Sequence, residues 1–182
     1  MQFDNFNHDE YSMTQAFKEW ALIVDALGSG RQNLILRKGG IVEEDGSFEL
    51  KANKFLLLPT HFHQSKEQIK DSWRPFLCAE QYQVDQYHVK IEYFAEVADS
   101  RVITNWDMLK KLDQYHAWTE DVIRERFERW ERKVHMIVVQ VYSLLEPVTI
   151  EMLPEYSGCK SWIELEENVE LIGKPVLNPG IH

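Results

Sequence analysis

The sequence is short of cysteine and of cationic residues, and it has no long apolar run. Its two cysteines, Cys78 and Cys159, lie too far apart to form a zinc-ligand pair, and they do not make a disulfide framework. No apolar stretch reaches the roughly 20 residues that cross a bilayer. The acidic start MQFDNFNHDEYS does not resemble a signal peptide. We therefore expect a cytoplasmic protein without a membrane segment, in a reducing compartment.

Acidic residues outnumber basic ones by 30 to 20, and the formal net charge is −10. Because an acidic surface repels phosphates, this composition argues against broad, non-specific binding to nucleic acid, although a local basic patch stays compatible with it. Apolar residues make up 44% of the chain and aromatic residues 12%, which is enough for a real core. We expect a single domain over residues 1–182, with a core over about 12–172 and irregular tails.

Hydrophobic periodicity predicts the elements of the N-terminal half. Apolar residues from Phe17 to Leu27 recur at helical spacing, which predicts a first helix that ends at Gly28. Strands are predicted over 34–42 and 48–58, and the Asp-Gly turn between them predicts a hairpin.

The C-terminal half is rich in strands and contains two further predicted helices, over 105–118 and 119–133. Strands and helices intermix without regular alternation. This favours an α+β fold with a mixed or antiparallel sheet flanked by helices, and a small curled barrel also fits. Arginines in the last helix alternate with glutamates, which is typical of a solvated face with ion pairs. They are Arg124, Arg126, Arg129 and Arg132.

Two histidines in the segment FLLLPTHFHQ form the first candidate site. Side chains two residues apart on an extended chain share a face, so His61 and His63 are able to reach one metal ion. A third ligand would have to come from His88, Glu43 or a distant carboxylate. The alternative is that both histidines cap backbone groups or lie at the surface.

The segment LRKGGIVEE forms the second candidate. Arg37 and Lys38 precede two glycines, and adjacent cations beside a closely approachable backbone suit a phosphate or a carboxylate. The segment matches no established nucleotide-binding loop. A glycine-rich turn with solvated charges explains it equally.

Acidic residues and a lysine in EEDGSFELK form the third candidate. Asp45, Glu49 and Lys51 follow the order of acids and lysine found in metal-dependent nucleases, in which carboxylates hold Mg²⁺. Glu19, on the predicted first helix, is a candidate for an additional acid. A hairpin turn followed by a half-exposed strand is the alternative explanation.

The segment PEYSGCKSWIEL forms the fourth candidate. Trp162 is able to stack on a base or another flat ligand, or to fold into the core behind a tight turn. Cys159 would act as a nucleophile only with a histidine nearby in space.

Taken together, AFKEWALIVDALGSGRQNLILRKGGIVEE, FLLLPTHFHQ, RFERW and EYSGCKSWIEL resemble a bacterial and cyanobacterial domain family of unknown function (family eighteen-oh-two), from about Ala16 to Leu165. The resemblance implies a family member and no particular activity. Its motif residues are Lys18, Glu19, Trp20, Arg37, Lys38, Gly39, Gly40, Glu43, Pro59, Thr60, His63, Gln64, Gly158, Cys159, Ser161 and Trp162. His61 falls outside the motif, which argues against a metal site formed by His61 and His63.

The strand-rich C-terminal half, with its tryptophan-bearing strand, is also similar at the level of fold to small PUA and ASCH barrels. That likeness implies binding of RNA or modified nucleotides.

These observations support three hypotheses about function. The first is a module that binds a nucleotide or nucleic acid in a polar pocket at strand ends. The expected ligand-binding residues are Arg37, Lys38, Glu43, Thr60, His63, Gln64 and Trp162. The second is a metal-dependent hydrolase or nuclease that uses Glu19 or Glu43 together with Asp45, Glu49 and Lys51 and Mg²⁺. The third is a protein-interaction domain, with a protein partner or a second copy of the chain, and without a small-molecule site.

Overall fold

The computed structural model describes residues 14–38, 50–129 and 132–177. Its strands are β1 (Thr14–Trp20), β2 (Leu34–Lys38), β3 (Lys54–Thr60), β4 (His88–Ile103), β5 (Val134–Glu151), β6 (Trp162–Leu165) and β7 (Gly173–Pro175). Its α-helices are α1 (Ala21–Gly28), α2 (Trp106–Lys110) and α3 (Glu120–Glu128). Short 3₁₀ turns cover Lys66–Gln68, Arg74–Phe76, Ala79–Tyr82, Asp113–Tyr115 and Pro154–Tyr156. Within the described ranges, no helix has the length and apolarity needed to cross a membrane.

All seven strands belong to one mixed sheet. Its order is β2-β5-β4-β3-β1-β6, and β7 pairs with β5 outside this path. The β1–β3 pair is parallel and the other pairs are antiparallel. Helices flank this sheet, so the predicted α+β class with a mixed sheet is confirmed. The ladder that the described residues form stays open between β2 and β6 and does not close into a barrel.

A long, bent hairpin of β4 and β5 shapes the sheet. Its register shifts between Ile91 and Tyr93 and again between Val97 and Asp99. Such bulges bend a strand and increase its twist. Two apolar clusters result. The larger holds α1 and the start of β5, and the smaller packs the far end of the hairpin.

The predicted hairpin of residues 34–42 with 48–58 is wrong. β2 pairs with β5, whereas β3 lies between β1 and β4. Local turn chemistry suggested the pairing, but long-range pairing with the bent hairpin decided it. The Asp45-Gly46 turn itself lies outside the described residues.

The predicted first helix is only half right, because Phe17 and Trp20 lie on strand β1 and the helix begins at Ala21. β1 runs between β3 and β6, and its residues are buried or half-buried on both faces of the sheet. Every residue of α1 from Ala21 to Leu27 is buried. When an element is buried on all sides, its apolar pattern no longer distinguishes a strand from a helix. The predicted end at Gly28 is confirmed.

The predicted solvated face of α3 is wrong at Arg126. This side chain is buried and donates to the carbonyl oxygen of Leu36 at 2.6 Å. Its guanidinium lies 3.9 Å from the ring centroid of Trp118. Arg124 and Arg129 do form the expected exposed pairs with glutamates four residues away. Its place on the helix directs Arg126 toward β2, where the flat guanidinium packs on Trp118 as an aromatic side chain would.

We expect His116 to make stability fall between pH 7 and pH 5. Burial lowers the pKa of His116 to about 3, with the Lys70 charge as a smaller cause. The unfolded chain therefore takes up a proton below about pH 6.5 and the folded chain does not, so the free energy of unfolding should drop by about 2 kcal/mol over this range. His135, whose pKa burial also lowers, adds a contribution of the same sign.

Urea unfolding at several pH values measures this slope in the wild-type chain and in His116→Gln. The matched control is His88→Gln, because His88 is exposed beside Asp85. The His116 variant should lose most of the slope and the His88 variant should keep it. A His116 ring proton that titrates near pH 6.5 in NMR spectra would contradict this assignment.

Candidate functional site

The short segment where β1 passes into α1, residues 18–22, is the centre of the candidate site. We call it the β1–α1 junction. It places two charged side chains inside the protein, with Lys18 6% exposed and Glu19 1% exposed. Neighbouring residues on a strand point to opposite faces, so Lys18 and Glu19 face different surroundings. The contacts described below reach this segment from β2, from the turn before β6 and from the turn after β3.

Arg37, near the end of β2, reaches the junction from the opposite edge of the sheet. One guanidinium nitrogen, Nη2, donates to the carbonyl oxygen of Lys18. The guanidinium carbon lies 4.6 Å from the ring centroid of Phe17. The other terminal nitrogen, Nη1, lies 3.8 Å from Oε2 of Glu19. Arg37 thus joins β2 to β1, which are not neighbours in the ladder.

Glu19 has one satisfied and one unsatisfied carboxylate oxygen. Oε1 accepts from the backbone N–H of Trp20 at 2.8 Å. Oε2 is buried and has no hydrogen-bond partner among the described residues, and the same holds for Nε of Arg37. The distance of 3.8 Å to Arg37 is an ion pair without a hydrogen bond. Unsatisfied buried polar atoms are rare in folded proteins, so this pair requires an explanation.

Lys18 holds the turn that precedes β6. Its ammonium donates to the carbonyl oxygens of Tyr156 and Gly158. Cys159 and Lys160 follow Gly158 directly in the chain, so this contact holds them beside the junction. Burial lowers the pKa of Lys18, the Cys159 thiol opposes this, and the charges of Lys160 and Arg37 add to it. Cys159 itself is an exposed, free cysteine.

Lys38 and helix α3 extend the charged region. The Lys38 ammonium lies 3.9 Å from Glu125, which also accepts a hydrogen bond from Arg129. Burial lowers the pKa of Lys38, and the positive charges of Arg129 and Arg126 contribute. Burial likewise lowers the pKa of Arg126 to about 10, while Glu19 acts to raise it. All of these charges therefore act on one another.

The region is cationic in an acidic protein. Two carboxylates, Glu19 and Glu125, pair with the cations there. The six described basic side chains are Lys18, Arg37, Lys38, Arg126, Arg129 and Lys160. We call these six residues the basic cluster. The chain as a whole has a formal net charge of −10, so this cluster is a local reversal of sign.

The turn after β3 meets the junction from a second side. Thr60 pairs with Trp20 across the parallel strands, and its hydroxyl accepts from the N–H of Phe62. Gln64 accepts from the N–H of Leu22 at 2.9 Å, which satisfies one of the free N–H groups at the start of α1. His63 is exposed, has a positive φ of 59°, and packs its ring on Phe62.

Trp162 lies in the core below the charged groups. It is 7% exposed, and its ring contacts Phe17 and Phe55 at centroid distances of 4.9 and 5.0 Å, both edge-on. Trp162 therefore takes the second of the two positions considered from the sequence, folded into the core behind the turn. Trp162 forms part of the aromatic layer on which the Arg37 guanidinium rests.

The residues predicted for metal chemistry do not come together in the described chain. Among residues 14–38, 50–129 and 132–177, no group of three His, Cys, Asp or Glu side chains is placed to hold a metal ion. His61 is exposed, as is Lys51. Glu43, Asp45 and Glu49 lie outside the described residues. Glu19 lies on β1 rather than on a helix, beside a guanidinium that repels cations.

Sequence reasoning from periodicity missed four residues of the basic cluster, Lys18, Arg126, Arg129 and Lys160. Lys18 was part of a supposed amphipathic helix, and Arg126 was assigned to a solvated face. One signal was available for the first, because Lys18 and Glu19 interrupt an otherwise apolar run from Ala16 to Val24. Charges inside such a run are costly to bury unless they have partners, which indicates a paired or functional site.

Comparison with known structures finds similar chains from Zymomonas mobilis. The crystal structure of its ASCH protein is 11% identical, covers 86% of this chain and 90% of that one, and gives a TM-score of 0.47. A serine-to-alanine variant of that protein is 10% identical with the same coverage and a TM-score of 0.48. Similarity at this level does not establish a shared function.

Comparison with curated proteins finds no match. The family described as Domain of unknown function (DUF1802) matches residues 16–180. This range includes all of the basic cluster and the turn at residues 60–64. It covers most of the chain and agrees with the resemblance that the sequence motifs indicate. The chain therefore belongs to the DUF1802 family.

Proposed function

We propose that the basic cluster binds the phosphates of a single-stranded nucleic acid or of a nucleotide. The observation that carries this proposal is the set of contacts that brings six basic side chains to one end of the sheet in a chain of net charge −10. Selection for solubility alone does not concentrate one sign of charge in this way. Paired cations around a strand end attract a phosphate and hold it with charge-assisted hydrogen bonds.

The members of the cluster divide into an inner and an outer group. Lys18, Arg37 and Arg126 are engaged with backbone carbonyl oxygens. They maintain a positive field and keep the strand ends in place. Lys160 is exposed, and Lys38 keeps part of its side chain in solvent at a long distance from Glu125. Both outer lysines are accessible to a phosphate, which would compete with the carbonyl oxygen of Glu155 at Lys160 and with Glu125 at Lys38. The exposed turn with His63 lies on the same junction.

Neutralising an outer lysine should weaken binding and reduce its salt dependence. We expect Lys38→Gln and Lys160→Gln each to bind a short uridine RNA less tightly at low salt. Each change removes about one phosphate contact, so the slope of log K against log salt should become shallower by roughly 0.7. Fluorescence anisotropy at several salt concentrations measures both quantities.

The matched control for these variants is Lys174→Gln, because Lys174 is exposed on β7, which pairs with the far part of β5. It changes the net charge by the same amount and should leave affinity and slope unchanged. If all three substitutions weaken binding equally, the loss of affinity reflects only the net charge of the protein and not a site at the basic cluster. Absence of RNA and nucleotide binding by the wild-type chain at low salt would overturn the proposed function.

Bound RNA should also protect one of the two cysteines from alkylation. Cys159 and Cys78 are both exposed and free, but only Cys159 lies in the field of Lys18 and Lys38. Cys78 lies elsewhere, and its backbone N–H donates a hydrogen bond to the carboxylate of Asp25 in α1. We expect RNA to slow modification of Cys159 by iodoacetamide several-fold and to leave Cys78 unaffected, as measured by peptide mass spectrometry. Equal protection of both thiols would contradict this location of the site.

A further inference from the structure

We propose that Glu19 and Arg37 together recognise the hydrogen-bonding edge of a nucleobase. This inference rests on the proposed function, because it names the part of a nucleotide that the same site would recognise beyond its phosphate. It starts from two atoms of one ion pair that lack hydrogen-bond partners among the described residues, Oε2 of Glu19 and Nε of Arg37. One is an acceptor and the other is a donor.

The chemistry of the two atoms selects the class of ligand. A phosphate offers only acceptors at neutral pH, so it satisfies the arginine and is repelled by the carboxylate. A metal ion satisfies the carboxylate and is repelled by the guanidinium. A nucleobase edge carries a donor next to an acceptor and satisfies both, since carboxylates accept from base N–H groups and guanidiniums donate to base oxygens and nitrogens.

The surroundings of the pair also suit a base. The Arg37 guanidinium is a flat group that lies on the face of Phe17, 4.6 Å from the ring centroid. It is the outer member of the pair, since its side chain is 19% exposed and that of Glu19 is 1% exposed. A base enters by moving the guanidinium aside, and it then gains an aromatic surface on which flat ligands stack.

Arg37 stays attached to β1 during this movement, because only its contact with Glu19 has to open. Its hydrogen bond goes to the carbonyl oxygen of Lys18, and its contact with Glu19 is too long for a hydrogen bond. Glu19 remains anchored during the movement, because Oε1 keeps its bond to the N–H of Trp20. The acceptor is thus preorganised, and the donor moves with the ligand.

Free nucleosides separate this inference from the phosphate binding proposed above, because they carry no phosphate. Adenosine, cytidine, guanosine and uridine are titrated into the folded wild-type chain, and the Nε–H resonance of Arg37 is followed by NMR. We expect at least one nucleoside to shift this resonance and to do so in preference to the others. Glu19→Gln should weaken the binding of that nucleoside roughly tenfold and change the order of preference among the four nucleosides.

A second carboxylate of the same region provides the matched control. Glu125→Gln removes one negative charge, as Glu19→Gln does, but Glu125 already pairs with Lys38 and Arg129. It should leave the nucleoside preference unchanged. If Glu19→Gln fails to fold, Arg37→Lys tests the same pair, since lysine keeps the charge and lacks the planar fork; it should lose the preference.

The outcomes distinguish the two proposals. RNA binding without any nucleoside effect on Arg37 overturns the base recognition and leaves phosphate binding standing. Nucleoside binding that Glu19→Gln weakens, without RNA binding that depends on Lys38, overturns the phosphate site and supports the base recognition. Equal effects of Glu19→Gln and Glu125→Gln on the nucleosides show that only net charge matters, and this also overturns the inference.

Discussion

The hydrogen bond from Arg37 to the carbonyl oxygen of Lys18 is the contact on which the site depends. β2 and β1 are separated in the sheet by β5, β4 and β3, so the backbone ladder does not bring them together. The bulged β4–β5 hairpin bends the sheet, and Arg37 then joins the edge strand β2 to the inner strand β1 while its guanidinium covers Phe17. An arginine suits this position because its fork offers donors to a carbonyl while its flat face packs on an aromatic ring.

Burying charged side chains at this end of the sheet costs free energy that an apolar core would not require. Glu19 and Arg126 are buried, and removing charged groups from water costs several kcal/mol each, of the order that their attraction returns. Apolar side chains of similar size would close the same end at no greater cost. Stability alone therefore does not account for a buried carboxylate with one unsatisfied oxygen beside a cationic cluster. The proposed recognition of a ligand with both charge and hydrogen-bonding groups would account for it.

The sequence predicted the fold class correctly and several elements incorrectly, for separate physical reasons. The mixture of patterns was sufficient for an α+β sheet with helices, and Gly28 marked the end of a helix. β1 was mistaken for helix because it is buried on both faces and carries no alternation. The pairing of β2 with β5 joins residues about a hundred positions apart, and no local signal records it. Arg126 was misassigned because periodicity does not tell which turn of a helix faces a strand end.

The candidate site was predictable as segments but not as a geometry. RKGG, THFHQ and YSGCKSW each had an ordinary structural explanation, and each still has one when taken singly. Arg37 joins β2 to β1, Gln64 caps α1, and Lys18 holds the turn at Gly158. Their common feature is that all three contacts converge on the β1–α1 junction. Structural contacts alone require no such convergence. As a result, Lys38, Lys160 and His63 surround the inner group of buried charged residues, which holds their segments in place. A rigid scaffold supports a binding surface in the same way.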